Sequence, residues 1–374
     1  MRKGWDYKKL GDCTQILDSQ RRPVTKRDRK SGIYPYYGAT GIQDYVDKYI
    51  FDGRYVLVGE DGAKWSSFTQ SAFIIEGKTW VNNHAHVLRT NDFLVDSFLV
   101  YFLNYSDLDS YISGAIIRKL TQASLRNIDI PIPPLSTQLS IVSELDKINE
   151  LIRLKKEQLK DFDNLAQSIF YEMFGDPVEN ERGWKVKIIG DLALVKTGPF
   201  GSMLHKEDYI CNGIPLVNPI HMKDFKIVPD LDFTISKEKA SELENYLLKN
   251  NDIVFARRGD IGRCAIVSEA EQGFICGTGS LFVRFSKEIE SIFIMYIIRC
   301  DSFTKHLISK AKGATMLNIN SNTIADLKLP LPPLPLQQLF AQRIEQIEHQ
   351  KAEVQKSITD LETLLASRMQ YWFE

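Results

Sequence analysis

The side chains in this sequence best able to do chemistry are basic and amide groups set among glycines and aromatics. Arg21-Arg22-Pro23-Val24-Thr25-Lys26-Arg27-Asp28-Arg29-Lys30 is densely cationic, and Tyr34-Pro35-Tyr36-Tyr37 follows it. Lys64 closes the glycine-rich turn Gly59-Glu60-Asp61-Gly62-Ala63-Lys64. A second set comprises Lys196, Ser202, His205, Lys206, Asn218, His221, Arg257, Arg258 and Arg263, again beside glycine-rich turns. Arginine and lysine on loops neutralise phosphates. Arginine and asparagine can also bond base edges in pairs. Two such sets point to contact with DNA. The candidate contacts are Arg21, Arg22, Lys26, Arg27, Tyr36, Tyr37, Lys64, Lys196, Ser202, His205, Lys206, Asn218, Arg257, Arg258 and Arg263.

Catalytic patterns fare worse. Ala72-x4-Gly77-Lys78-Thr79 has Walker A spacing, but Phe-Ile-Ile-Glu fills the gap, which reads as a strand and not a glycine cradle. Asn218-Pro219-Ile220 lacks the second proline and the aromatic of an amino-methyltransferase loop, and no G-x-G cofactor loop follows a strand nearby. His84-x-His86 has no third ligand close in sequence, so no metal site is expected. There is no G-x-S-x-G elbow and no convincing nuclease carboxylate–lysine arrangement. These residues predict a binding protein and no catalytic residue.

Composition sets the outer bounds. The 374 residues carry 44% hydrophobic and 25% charged residues, as in globular chains. No apolar run approaches the roughly 18 residues of a membrane helix, and Met1-Arg2-Lys3-Gly4-Trp5-Asp6 has no apolar leader segment. Five scattered cysteines, none spaced C-x-x-C, argue against a disulfide framework or a cysteine zinc site and fit a reducing cytoplasm. The net charge of −1 excludes a chain that is basic throughout and predicts weak DNA binding by the chain alone.

The elements that must position the loops are repeated. Ile130-Pro131-Ile132-Pro133-Pro134-Leu135 recurs as Leu329-Pro330-Leu331-Pro332-Pro333-Leu334, and Gln138 recurs as Gln337. Gly4-Trp5 and Leu10-Gly11-Asp12 recur as Gly183-Trp184 and Ile189-Gly190-Asp191. Phe98-x-x-Tyr101 recurs as Phe293-x-x-Tyr296. Each half is thus a globular region, a proline turn and a long helix. Short strands around Tyr55–Val58, Ala72–Ile75, Asp252–Phe255, Cys264–Val267 and Ser280–Val283, with helices near Ser97–Tyr105 and Ile292–Cys300, predict an α+β fold of two similar mixed lobes.

A 3,4 spacing predicts the helix seams. Leu145, Ile148, Ile152, Lys155, Leu159 and Phe162 form the first; Ile344, Ile347, Lys351, Val354, Ile358 and Leu361 form the second. The two helices are expected to pair as an antiparallel coiled coil with pseudo-two-fold symmetry, since that order joins them without a long crossover. The divisions expected are a first lobe at 1–135, a helix at 136–178, a second lobe at 179–334 and a helix at 335–374.

This ordered pair of motif sets resembles the specificity subunit of type I restriction-modification systems over essentially the whole chain. Tyr34-Pro35-Tyr36-Tyr37-Gly38-Ala39-Thr40-Gly41 and Thr197-Gly198-Pro199-Phe200-Gly201-Ser202 belong to the same match. The resemblance implies that each lobe is a target-recognition domain reading one half of a split DNA target. It implies that the helices act as a spacer and dock two methyltransferase subunits, with restriction subunits joining in the full complex. It also implies that S-adenosylmethionine, Mg2+ and ATP sit on the partners and none on this chain. The alternatives are a coiled-coil adaptor whose lobes bind proteins, or a self-contained DNA methyltransferase or nuclease.

Overall fold

The computed structural model describes residues 4–114, 116, 118–200, 203–311 and 317–374. The chain forms two compact units. Unit 1 is Met1–Gln158 with Val354–Glu374, and unit 2 is Leu159–Glu353. The divisions fall within the two long helices, Leu135–Phe174 and Leu334–Phe373, so each unit holds part of both.

Unit 1 contains β1 (Asp6–Lys9), β2 (Thr14–Ile16), β3 (Ser31–Gly38), β4 (Gly41–Val46), β5 (Phe51–Gly59), β6 (Ala72–Val81), β7 (Ala85–Thr90), β8 (Ile112–Ser113), β9 (Lys119–Leu120) and β10 (Asp129–Ile132). Its main sheet has the order β2-β7-β5-β6-β3-β4, with only β3 and β6 parallel. Helix Asp96–Tyr105 packs Phe98, Leu99 and Leu103 into the core with Val56, Val58 and Leu88. The Walker-like residues Ala72 to Thr79 all lie on β6, which is a strand, as their apolar run predicts.

Unit 2 repeats this plan. It contains β11 (Lys185–Ile188), β12 (Ala193–Thr197), β13 (Tyr209–Ile210), β14 (Ile214–Val217), β15 (Met222–Lys223), β16 (Lys226–Ile227), β17 (Thr234–Ile235), β18 (Ile253–Ala256), β19 (Cys264–Ile266), β20 (Ile275–Cys276), β21 (Ser280–Phe285) and β22 (Lys328–Leu331). The order β12-β21-β18-β19 matches β2-β7-β5-β6, strand for strand. The counterpart of β6 is broken into β19 and β20 by a turn that Ser268 and Glu271 cap. The parallel pair survives the break: Leu216 and Val217 face Ile275 and Cys276, as Tyr36 and Tyr37 face Trp80 and Val81. In the small sheet β13-β17-β14-β20, β14 and β20 are the counterparts of β3 and part of β6, and the residues that lengthen the second half fall mainly between Val217 and Arg257, where β15, β16 and β17 lie.

The two ends of each repeated motif set are bonded to each other. Tyr7 faces Pro131 in the β1–β10 ladder, and Val186 faces Pro330 in the β11–β22 ladder. Proline lacks an N–H, and these two-stranded ladders leave it at an edge where none is needed. The chain then enters a long helix after Pro134 or Pro333. Gly175, with φ +75, ends the first one, the left-handed geometry that favours glycine.

Gln138 and Gln337 show why the glutamine recurs. Both are buried. Gln138 Nε2 donates to Pro133 O and Phe93 O (both 2.9 Å), and its Oε1 accepts from Val95 N (2.9 Å). Gln337 repeats this with Pro332 O (2.8 Å) and Glu290 N (3.1 Å). Each amide ties the start of a long helix to the segment that launches its lobe's own helix. Gln337→Ala is expected to cost about 1–3 kcal/mol, since it strands buried backbone groups. A fall in the urea midpoint at constant slope checks this, and an unchanged midpoint would contradict the role.

Within each unit the long helices run antiparallel. In unit 1, Glu144 pairs with Arg368, and Lys156 with Glu362 at 2.8 Å. In unit 2, Asp163 pairs with Lys351 at 2.9 Å. The expected seam faces inward: Leu145, Ile148, Ile152, Ile344, Ile347, Val354 and Ile358 are buried, and Leu159, Phe162 and Leu361 are half-buried. Of the two seam lysines, Lys351 bonds Asp163 across the seam. Lys155 bonds Gln158 on its own helix. Among the described residues no helix is long and apolar enough to cross a membrane.

Candidate nucleic-acid interface

The glycine-rich turns of each lobe converge, and they do so through the same backbone bonds. In unit 2, Gly277 N donates to Val217 O (3.0 Å), Arg257 N to Gly279 O (3.1 Å), and Ile319 N to Arg257 O (2.9 Å). In unit 1, Asn82 N donates to Tyr37 O (3.0 Å), Glu60 N to His84 O (2.8 Å), and Leu120 N to Glu60 O (2.8 Å). Bridges Asp61–Lys119 and Arg258–Asn318 complete the match. Glu60 therefore occupies in unit 1 the place of Arg257 in unit 2, and Lys119 the place of Asn318.

Two glycines in unit 2 are required by close approach. A Cβ on Gly198 would meet Gly277 O at 2.0 Å, and one on Gly277 would meet Asn218 Oδ1 at 2.3 Å. Gly198 is needed because two backbones touch there, and Gly277 because the Asn218 side chain lies against it.

Four of the sequence-predicted contacts come together in unit 2. Asn218 Oδ1 accepts from Gly279 N (3.2 Å). Arg263 Nη1 donates to Pro219 O (3.2 Å), and the same side chain pairs with Asp260 (2.8 Å). Arg257 is half-buried between them, and Arg258 is exposed. Burial and the neighbouring Arg258 charge hold the Arg257 guanidinium below its ordinary pKa. Lys196 lies elsewhere, with its ammonium 5.0 Å from the Tyr246 ring centre. His205 and Lys206 are exposed at a short turn, where His205 N donates to Asp208. Ser202 falls outside the described residues.

Unit 1 departs from expectation at two positions. Tyr36 is not a surface aromatic. It is buried, bonded from Val24 N (3.0 Å), and covered by the Arg29 guanidinium 4.2 Å from its ring centre. The alternation of β3 turns it into the core, and the dense charge around it in sequence hides that. Arg21 is not on the surface either. Its Nη1 lies 2.5 Å from Glu60 and donates to Ala85 O (2.7 Å), and its Nη2 lies 3.4 Å from Asp18. Lys119 bonds the other Glu60 oxygen (2.7 Å). His86 sits between Asp18 (2.6 Å) and Leu120 O (2.7 Å). Arg22, Lys26, Arg27 and Lys64 are exposed, and Tyr37 is half-buried against Phe73.

Asp18, Glu60 and His86 place one ligand atom each within 4.8 Å of one another. Arg21 and Lys119 already neutralise both carboxylates, so a cation there would meet two others. The sequence reading missed Asn318, Ser280, Lys119 and Glu60. The repeat could have found one pair: Lys119 and Asn318 differ by the same 199 positions as Pro131 and Pro330.

Comparison with known proteins agrees with this duplicated geometry. The family profile described as "Type I restriction modification DNA specificity domain" matches residues 2–161 and again residues 181–363. A putative type I restriction enzyme specificity subunit of Haemophilus influenzae is 28% identical, covering 92% of this chain and 87% of that one. The MjaVIII specificity subunit of Methanocaldococcus jannaschii is 22% identical, covering 96% and 92%. A type I S subunit structure from M. genitalium shares the fold, with a TM-score of 0.57 at 13% identity over 100% of this chain and 98% of that one. With the family's domain matched twice, once in each set of converging loops, the chain belongs to the type I restriction-modification DNA specificity family.

Proposed function

We propose that the chain is the sequence-reading, non-catalytic subunit of a type I restriction-modification complex. The observation that carries this is the repeated convergence of glycine-rich turns in a chain whose family is a DNA specificity family. Residues 1–135 and 179–334 are the two recognition regions, each reading one half of a split target. The two regions differ in sequence, so their half-sites differ. Exposed Arg22, Lys26, Arg27, Lys64, Lys206, Arg258 and Arg263 contact phosphates, and Lys196, Ser202, His205, Tyr37 and Asn218 are further DNA contacts. Arg21 and Tyr36 hold the loops that present these groups.

The helical segments 136–178 and 335–374 serve as spacer and as the docking surface for two methyltransferase subunits, with restriction subunits in the full assembly. S-adenosylmethionine, Mg2+ and ATP belong to those partners, and the complex works in the cytoplasm. The test is co-expression with the cognate methyltransferase subunit and base-resolution mapping of modified adenines. A single split motif, modified only when both proteins are present, is the expected result. The absence of both modification and co-purification would move the reading to a protein-binding adaptor.

A further inference from the structure

Of the four buried polar side-chain atoms of unit 2 that find no hydrogen-bond partner among the described residues, Ser302 Oγ lies apart on the helix Asp301–Lys310, and the other three belong to adjoining backbone positions. They are Arg257 Nε, Ser280 Oγ and Asn318 Oδ1. Ala256 pairs with Ser280 across β18 and β21. Arg257 O accepts from Ile319 N, and Arg258 bridges Asn318. A donor and two acceptors are thus carried on neighbouring backbones with their bonds unmade. Each unmade buried bond is destabilising, so a state in which they meet is favoured wherever something draws the side chains together.

The Arg257 charge is also unpaired. No acidic side chain forms an ion pair with it among the described residues, whereas Arg263 holds Asp260 and Arg284 holds Asp252. The equivalent position in unit 1 shows the contrast. Glu60 has the same backbone bonds, but its carboxylate is met from within the lobe by Arg21 and Lys119. One lobe closes this position on itself, and the other leaves a half-buried guanidinium beside two orphaned acceptors.

We propose that Arg257 reads a guanine edge in the half-site bound by unit 2, with Asn318 and Ser280 as positioning residues that take its Nε in the DNA-bound state. The proposal rests on the DNA-reading function above. Guanine presents O6 and N7 as two acceptors side by side, which match the two terminal amino groups of the arginine fork. Adenine sets a donor beside its acceptor and fits worse. Anchoring Nε fixes the plane of the fork, and a fixed plane separates base reading from charge attraction. Phosphate contact suits the exposed Arg258 and Arg263 better, since a single exposed charge needs no oriented plane.

The experiment uses the full chain in complex with its methyltransferase partner. Duplexes carry the mapped target with one position varied at a time, and competition binding is read at several salt concentrations. Arg257→Ala is expected to lose about 5- to 150-fold of the preference for one G·C pair, in one half-site only. Arg257→Lys keeps the charge and the bulk, so it is expected to lose the same preference with an unchanged salt slope. Asn318→Ala is expected to lose part of it, Asn318→Asp to restore it, and Asn318→Ala to have no further effect once Arg257 is alanine. A uniform loss at all positions, with a salt slope reduced by about one, would make Arg257 a phosphate contact and overturn the proposal. Unchanged preference in both Arg257 variants would also overturn it. A wild-type complex with no sequence preference at all would overturn the DNA-reading function itself.

Discussion

Arg21→Ala is expected to destabilise unit 1 by about 3–5 kcal/mol, because it removes one cation from a buried charge cluster and leaves its carboxylates uncompensated. The side chains of Arg21 and Glu60 are only 12% and 10% exposed, so water cannot replace the lost partner. Arg22→Ala, one residue along and exposed, should stay within about 0.5 kcal/mol of the parent. Urea unfolding of the two variants separates a structural arginine from a phosphate contact. A stable Arg21→Ala protein with only a reduced salt dependence of DNA binding would contradict the cluster's role.

The same cluster gives unit 1 an acid limit. Burial pushes the Asp18 carboxyl up, but the bonds from His86 and Val87 N and the Arg21 charge outweigh it and hold it below its ordinary value. Burial likewise pushes Glu60 up, and Lys119 and Arg21 outweigh it. Groups held low in the folded state contribute stability that is fully present above their unfolded values. It is lost as pH falls through the folded ones. Unit 1 should therefore lose stability progressively below about pH 4, and Arg21→Ala should make that loss shallower, because the carboxylates would no longer be held as low.

The sequence made the scaffold legible and the surface less so. The repeat at Ile130–Leu135 and Leu329–Leu334 marks the ladders that close each lobe, because a proline in a strand tolerates few settings. The 3,4 seam marks the paired helices, because a long helix with one apolar stripe has to bury it. The loops resisted for a different reason. A run such as Arg21 to Lys30 looks like one cationic surface, yet Arg21 turns inward to Glu60 and Arg29 turns onto Asp44 and the Tyr36 ring. Their partners lie 39 and 15 residues away, and no local pattern announces them. Asn318 and Ser280 were invisible because what distinguishes them is an unmade bond.

Phe340→Ala is expected to cost about 3–5 kcal/mol in unit 2. Phe340 is fully buried near the start of the second long helix. Its ring lies 5.6 Å from Phe170 and 5.4 Å from Phe174, both near the end of the first long helix, and 5.1 Å from Tyr296 of the lobe helix Ser291–Arg299. One side chain thus joins both long helices to the lobe. Unit 1 builds the same joint with other residues: Ile141 stands where Phe340 does, and Met369 and Phe373 stand for Phe170 and Phe174, all buried. The joint accepts either an aromatic or an aliphatic filling, provided the volume is kept. Phe340→Ile should therefore recover a substantial part of what Phe340→Ala loses, since it restores most of the removed apolar volume. If the two variants unfold at the same urea concentration, ring-specific packing and not volume holds the helix to the lobe. The consequence for reading DNA is direct: a void at this joint loosens the lobe from the helix that carries it, so Phe340→Ala should weaken discrimination across the whole half-site of unit 2, whereas loss of Arg257 touches a single base pair.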